Sequence, residues 1–206
     1  MTDLEQAIRQ LSMTYATALR TKTQERIAEM EKDDKGHYLI YRLLGISADE
    51  GDAIDLYQNK GRLLYRYAGA LLENATRLCF VAAFPEAVSL KIPNTLGSRP
   101  KTFEIDCVVA DRAYEIKWRD ATTDGDHITK EHTRLKAIAA AGYTPIRLMY
   151  YYPNRQQAAR IQNVLEDLYK ANGGQYYAGN AAWAHIHHTT GIDLLALLTA
   201  IAGEQD

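Results

Sequence analysis

The segment KTFEIDCVVADRAYEIKWR, residues 101–119, decides the fold. Polar and apolar side chains alternate through both of its halves, as is typical of strands with one face in a core. A two-residue turn at Ala110 and Asp111 pairs the halves as an antiparallel hairpin and places Asp106 opposite Glu115. Opposed residues share a face, so one face is predicted to be apolar and the other charged. The charged set is Glu104, Asp106, Glu115 and Lys117.

This charged face has the residue types that phosphodiester hydrolysis requires. Mg²⁺ prefers a few carboxylate oxygens and keeps several waters. Asp106 and Glu115 supply such oxygens, and the backbone carbonyl of Ile116 is a further candidate ligand. Lys117, on the same face, is placed to orient the attacking water or to stabilise developing charge. A solvated face with cross-strand ion pairs, worth about 0.2–1 kcal/mol each, fits the same residues.

Helical patterns precede the hairpin. Apolar residues at helical spacing predict a helix over residues 3–32 and another over residues 62–84. Ser47 begins a capping box and so starts a helix between them. Gly61 is a candidate division between that helix and the next.

Strand and helix patterns alternate around and after the hairpin. Residues 87–92 (AVSLKI) and residues 144–152 (TPIRLMYYY) predict strands, the second of them buried. Residues 127–141 and 155–171 predict helices, and Asp193 opens a last one. We therefore expect an α/β protein with an αβββαβ core and a mixed sheet, flanked by N-terminal helices and a C-terminal helix.

Length and composition bound the class of protein. With 206 residues, 47% of them hydrophobic, the chain suits a single domain with an ordinary core. A net charge of −2 gives no overall basic field, so nucleic-acid binding depends on where the cations lie. The predicted parts are a helical extension at 1–60, a catalytic core at 61–172 and a helical tail at 173–206.

The expected compartment is the cytoplasm. No apolar run approaches the roughly 18 residues of a membrane span. The N-terminal pattern is typical of an amphipathic helix rather than of a signal peptide. Cys79 and Cys107 lie in apolar runs, so both are expected to be reduced core residues.

The hairpin and its frame resemble the PD-(D/E)xK nuclease superfamily. FEID (103–106) and YEIK (114–117) carry the likeness. By position, the resemblance implies that Asp106 and Glu115 are the metal-binding acids of a Mg²⁺-dependent nuclease. Lys117 matches the lysine of the superfamily pattern.

Two positions test this resemblance. Ile105 stands where the superfamily pattern has a proline, a position that varies widely among its members. Many members add a glutamate from the preceding helix, and Glu73 in GALLENATRL stands at that place. Glu73 is therefore a fourth catalytic candidate, although an exposed helix charge is an equal alternative.

Longer stretches are similar to the ApaLI-like restriction endonucleases, namely residues 115–134, 142–155 and 190–195. The similarity implies a type II enzyme that cuts both strands of duplex DNA within a six-base palindrome, which is GTGCAC for the namesake of the family. A two-fold symmetric site implies a homodimer. The helical N-terminal third and the apolar tail at 194–201 are the candidate interfaces.

Base recognition is expected in the segment that leaves the hairpin. Its side chains match base-edge donors and acceptors, whereas a solvated helix cap is the alternative. Residues 120–131 also match a calcium-binding loop in part, but no helix precedes them. Arg99 and Lys101 are further candidates for DNA contact. The alternatives for Arg147, Arg155 and Arg160 are contact with the DNA backbone and a place on the solvated surface. The predicted reading set is Arg119, Asp120, Asp124, Asp126, His127, Lys130 and Arg134.

Other readings stay open at this point. His185, His187 and His188 lie close in sequence but have no Cys or acidic partner at the ligand spacing of a zinc site. A structure-specific or repair nuclease would use the same hairpin. A non-catalytic DNA-binding module would keep its acids only as ion pairs.

Overall fold

The computed structural model describes residues 2–97, 99–119 and 125–204, with the backbone alone at 125–127. Within these ranges, three helices come first, three consecutive strands follow, and helices and strands then alternate as far as the last two helices. In chain order they are α1 (Asp3–Met30), α2 (Tyr38–Leu43), α3 (Ala48–Ala83), β1 (Val88–Pro93), β2 (Thr102–Val109), β3 (Arg112–Arg119), α4 (Gly125–Ala140), β4 (Thr144–Tyr151), α5 (Gln156–Ala171), β5 (Gln175–Ala178), α6 (Asn180–Thr190) and α7 (Leu194–Gly203).

The strands form one mixed sheet in the order β1-β2-β3-β4-β5. The pairs β1/β2 and β2/β3 are antiparallel, whereas β3/β4 and β4/β5 are parallel and are connected through α4 and α5. The predicted α/β class with a mixed sheet and flanking helices is confirmed. Two elements inside the predicted helical tail were missed: β5, which extends the sheet by a strand, and α6 after it.

Beside its turn, the hairpin has the predicted register. Cys107 pairs with Tyr114 and Val109 with Arg112, which leaves Ala110 and Asp111 as the two-residue turn. Ala110 adopts a positive φ of 52°, a conformation that non-glycine residues enter only where a tight turn demands it. The prediction of reduced core cysteines is also confirmed, since Cys79 and Cys107 are both buried and free.

Helices cover both faces of the sheet. On one face, Phe80 of α3 packs with its ring 4.4 Å from that of Tyr114, and Tyr150 of β4 lies 4.2 Å from Trp183 of α6. The Tyr150 hydroxyl is 2.8 Å from the hydroxyl of Thr76 on α3. The other face of β3 and β4 carries Glu115 and Arg147, which are register partners. This second face meets α4 and α5 and holds the charged groups described below.

The chain divides into two compact units, residues 10–71 and the remainder. In the first, α3 begins where Ser47 predicts, because the Glu50 N–H donates to Ser47 Oγ at 3.2 Å. The expected division at Gly61 is wrong: α3 continues through it as a single helix. A single glycine costs only about 1 kcal/mol in a helix, which neighbouring turns outweigh. No helix within the described ranges has the length and hydropathy of a membrane span.

Candidate active site

The antiparallel ladder between β2 and β3 ends just before the predicted acids. It comprises the three pairs nearest the turn, whereas β3 stays paired with β4 as far as Arg119. Beyond the ladder, the Ile116 N–H donates to Asp106 Oδ2 at 2.7 Å. A side-chain carboxylate has thus taken the place of a main-chain acceptor, and a polar cleft lies where the ladder stops.

The cleft has a volume of about 370 Å³. It brings together every residue of the predicted charged face and also Glu73, which α3 supplies. Arg134 of α4 joins them. The lining residues are Glu73, Thr102, Phe103, Glu104, Asp106, Glu115, Lys117 and Arg134.

Lys117 lies between the two acids. Its ammonium pairs with Glu115 Oε1 and is 3.8 Å from Asp106 Oδ2. Burial by itself would lower the pKa of Lys117, but the charges of Glu115 and Asp106 outweigh it and raise that pKa. Lys117 is therefore a cation at neutral pH, which suits stabilisation of negative charge better than proton abstraction.

The two acids have opposite electrostatics. Burial, reinforced by the charge of Glu115, raises the pKa of Asp106 to about 7. Burial would also raise the pKa of Glu115, but the cations Lys117, Arg134 and Arg147 outweigh it and hold that pKa below its usual value. Such a pair, with one acid ionised and the other easily protonated, is characteristic of functional sites.

Glu73 lies at the rim of the cleft that holds this pair. It is half-buried on α3, and burial raises the pKa of its carboxyl, with the charge of Lys117 opposing this and that of Glu115 adding to it. The alternative of a fully exposed helix charge is therefore wrong for Glu73, although its part in the chemistry stays a prediction.

The donor set fits a hard divalent cation. Within the described ranges, no group of three or more His, Cys, Asp or Glu side chains is arranged to hold a metal ion. Asp106 and Glu115 nevertheless offer adjacent carboxylates, and Mg²⁺ is commonly bound through one or two carboxylates, with waters and substrate phosphates as its other ligands. The near-neutral pKa of Asp106 points the same way, since a bound cation would replace the proton that this acid otherwise holds.

The predicted DNA-contact residues are dispersed. Arg99, Lys101, Arg119 and Lys130 are exposed, with Arg119 at the end of β3 and Lys130 on α4. Arg134, by contrast, points into the cleft with its side chain only 14% exposed. Asp120 and Asp124 lie outside the described residues, as do the side chains of Asp126 and His127.

Sequence reasoning missed a buried polar cluster behind the cleft. Arg147, expected at the surface, is only 2% exposed, and Glu131 is 4% exposed. Glu131 Oε1 accepts hydrogen bonds from Arg147 at 3.1 Å and from the Tyr169 hydroxyl at 2.8 Å. These bonds hold the Glu131 carboxylate in the interior, where it does not serve as the last ligand of a calcium-binding loop over residues 120–131. The calcium-loop alternative is therefore wrong. The one sequence signal was an arginine in the middle of an otherwise apolar strand.

The three histidines do not share a site. His185 is half-buried, its ring 4.1 Å from that of Tyr177, whereas His187 and His188 are exposed. Burial lowers the pKa of His185 to about 4, so it is neutral at physiological pH.

The comparisons with known proteins give one positive result. Residues 1–203 match a family model described as ApaLI-like restriction endonuclease. The comparisons with curated proteins and with solved structures gave no match.

Proposed function

Because the chain belongs to the ApaLI-like restriction endonuclease family, we propose that it is a Mg²⁺-dependent type II endonuclease that cuts both strands of duplex DNA at a short palindromic site. Family membership supports a DNA-cutting enzyme. The observation that carries the proposal of a metal-dependent mechanism is the cleft in which Asp106, Glu115 and Lys117 converge at the end of the β2–β3 ladder.

Each cleft residue has a distinct part in this proposal. Glu115 stays ionised and presents a carboxylate oxygen beside Lys117. Asp106 gives up its proton when a cation binds, and the carbonyl of Ile116 is the third proposed protein ligand. Bound Mg²⁺ would polarise the scissile phosphate and lower the pKa of a water. Lys117 then stabilises the charge that develops on the phosphate oxygens.

The proposed recognition segment is residues 119–134. It begins at Arg119, the last residue of β3, which is the strand that carries Glu115 and Lys117. Arginine or lysine suits guanine, and a carboxylate suits the cytosine amino group. The first sequence to test is GTGCAC, the site of the family's namesake.

A homodimer is the proposed assembly. Residues 10–71 contribute no residue to the buried hydrophobic core. They nevertheless expose nine of the sixteen large apolar side chains that are exposed in the described residues, which makes this unit the candidate interaction surface. With nine acidic and nine basic residues, this unit is not a strong phosphate-binding surface, so a second copy of the chain fits it better than DNA does. The exposed set is Met13, Leu39, Ile40, Leu43, Leu44, Ile54, Tyr57, Leu64 and Tyr65.

Light scattering tests the dimer. The wild-type chain is expected to be a dimer, and Leu43→Ser with Leu44→Ser is expected to give a folded monomer. Val164→Ser, which removes an exposed apolar side chain from α5, is the control and should leave the dimer intact. A wild-type monomer, both free and with DNA, contradicts the proposal.

One cleavage experiment tests the activity against its rivals. The protein is incubated with long unmethylated duplex DNA, once with Mg²⁺ and once with EDTA. Discrete fragments with Mg²⁺ and none with EDTA are expected. Cleavage only of flapped or branched DNA would indicate a structure-specific nuclease, and no cleavage of any DNA would indicate a binding module.

A further inference from the structure

Arg134 connects the cleft to the buried cluster behind it. Its guanidinium pairs with Glu115 Oε2, donates to the backbone carbonyl of Glu104 and lies 3.9 Å from Glu131 Oε2. Glu131 is held in turn by Arg147 and Tyr169. A continuous set of charged contacts therefore runs from the proposed metal-binding acid to the interior of the sheet.

The two oxygens of Glu115 are held differently. Oε1 pairs with Lys117, whose side chain is 34% exposed and lies in the cleft. Oε2 is buried and pairs with Arg134, whose side chain is 14% exposed. Nη2 of Arg134 contacts both Oε2 and the Glu104 carbonyl, while Nη1 lies 3.9 Å from Glu131 Oε2. A planar guanidinium can face two acids in this way, which the single ammonium of a lysine would not do. Arg134 thus fixes the rotation of the carboxylate and leaves Oε1 as the oxygen on the cleft side.

Stability alone does not explain this cluster. Buried ion networks cost desolvation free energy, and apolar replacements of similar volume are often neutral or stabilising. Within the described part of the chain, the Nε atoms of Arg134 and Arg147 are buried without a hydrogen-bond acceptor. An arrangement that leaves donors unsatisfied is costly as a core, which favours a role in orienting the site.

We infer that Arg134 is a positioning residue that orients Glu115 for metal binding, and that Glu131, Arg147 and Tyr169 hold Arg134 in place. The inference rests on the proposed function, because it takes the cleft to be the nuclease site. It replaces the expected role of Arg134 as a DNA contact. Groups that orient a metal ligand typically change metal affinity or activity by roughly 10- to 100-fold when they are removed.

Calorimetric titration with Mn²⁺ tests the inference without any cleavage. Mn²⁺ is a divalent cation that suits the same carboxylate, carbonyl and water ligands. Arg134→Met is expected to weaken Mn²⁺ binding by roughly 10- to 100-fold. Lys136→Met, which removes an exposed cation from the same helix, is the matched control and should bind Mn²⁺ as the wild type does. Equal affinity in Arg134→Met and the wild type overturns the inference, whether or not the protein cuts DNA.

Kinetics separate positioning from DNA contact. The probe is a short duplex that spans the cut site mapped from wild-type fragments. Positioning predicts a slower single-turnover rate for Arg134→Met, with unchanged DNA affinity in Ca²⁺ and an unchanged salt dependence. A lost phosphate contact predicts weaker binding and a salt slope reduced by about one, and that result overturns the inference.

Two further variants keep the test decisive. If Arg134→Met does not fold, Arg134→Lys takes its place. It keeps the charge but loses the fork, so it should bind Mn²⁺ at least several-fold more weakly than the wild type; wild-type affinity in this variant contradicts positioning. Glu115→Gln separates the two proposals. If Glu115→Gln cuts normally, the proposed function fails, whereas an inactive Glu115→Gln beside a fully active Arg134→Met defeats this inference alone.

Discussion

Two sets of carboxylates in this molecule each lie beside a lysine, but the pKa of Asp52 in one set and the pKa of Asp106 in the other are shifted in opposite directions. On the unit formed by residues 10–71, Asp52 accepts hydrogen bonds from Lys35 at 2.7 Å and from the Tyr38 hydroxyl at 2.6 Å. The Lys35 and Tyr38 donors lower the pKa of Asp52. In the cleft, burial and the neighbouring Glu115 raise the pKa of Asp106 to about 7.

Asp52 and Asp106 differ in how well their surroundings stabilise the charged carboxylate. Donors that hydrogen-bond to the charged form of an acid already stabilise its negative charge, so a bound cation adds little. When a buried acid beside another acid ionises, its negative charge is unfavourable, and a bound metal ion would stabilise that charge. Cavity size does not separate the two sets, because a cleft of about 250 Å³ also lies beside Asp52. Burial combined with like charge is the feature that distinguishes the proposed site.

The largest expected effect comes from removing the cleft charges. We predict that Asp106→Ala or Lys117→Ala abolishes DNA cleavage with Mg²⁺, a loss of at least about 10³-fold, because one removes a proposed metal ligand and the other removes the cation that stabilises developing charge. Circular dichroism should show the wild-type fold. Asp52→Ala, the matched acid from the other set, should cut normally. Near-wild-type cleavage by Lys117→Ala would show that the cleft is not the site.

Glu73 tests how far the site extends from the hairpin. We predict that Glu73→Gln slows single-turnover cleavage by roughly 10-fold, a smaller factor because Glu73 lies at the rim of the cleft. Glu86→Gln, which neutralises an exposed carboxylate between α3 and β1, is the control. Equal rates for the two variants would remove Glu73 from the site.

Stability against pH gives the third contrast. The folded-state pKa of Asp106 is raised, so the folded protein holds a proton that the unfolded chain releases, and the contribution of Asp106 to stability falls as pH rises from about 4 to about 7. Asp106→Asn carries no such charge and should be more stable than the wild type in EDTA at pH 8, by a few kcal/mol at most, since one pKa unit is about 1.4 kcal/mol. Urea unfolding at pH 5 and pH 8 measures this gain, which should shrink at pH 5. A pH-independent difference contradicts the account.

The smallest effect belongs to Asp52. Its pKa is lowered, so its contribution to stability is present above the usual aspartate range and is lost as pH falls through that range. Because Asp52 and Lys35 are largely exposed, salt and solvent screen their attraction. Asp52→Asn should therefore lower the melting temperature slightly at neutral pH and not at all in acid. A gain in stability at neutral pH would show that Asp52 behaves like Asp106.

The hairpin could be predicted because its evidence is local. Beside the turn, alternation predicts which residues share a face, and a one-residue slip there would expose the apolar set. Farther along β2 alternation fails, since Ile105 and Val108 lie in one core cluster and the β1–β2 register shifts between them. The turn, the register beside it and the gathering of Asp106, Glu115 and Lys117 followed from the alternation. Glu73 came from a resemblance rather than from periodicity, since one glutamate on an amphipathic helix carries no signal of its own.

The remainder depends on long-range contacts. Glu131 and Arg147 are 16 residues apart, and only the packing of α4 against β4 shows that they are paired and buried. The four-residue strand β5 is too short for a period to appear. Likewise, Gly61 is compatible with a helix end, and only the whole structure shows that α3 continues. The role of residues 119–134 in reading bases stays a prediction.

The most direct test of the central claim uses Glu115→Gln, which keeps the shape of the side chain and removes its charge. The protein is incubated with duplex DNA that the wild type cuts, once with Mg²⁺ to measure cleavage and once with Ca²⁺ to measure binding. We predict that the variant binds the DNA in Ca²⁺ and yields no fragments in Mg²⁺, because the proposed mechanism requires the charged carboxylate of Glu115 as a metal ligand. Fragments formed at the wild-type rate would contradict it.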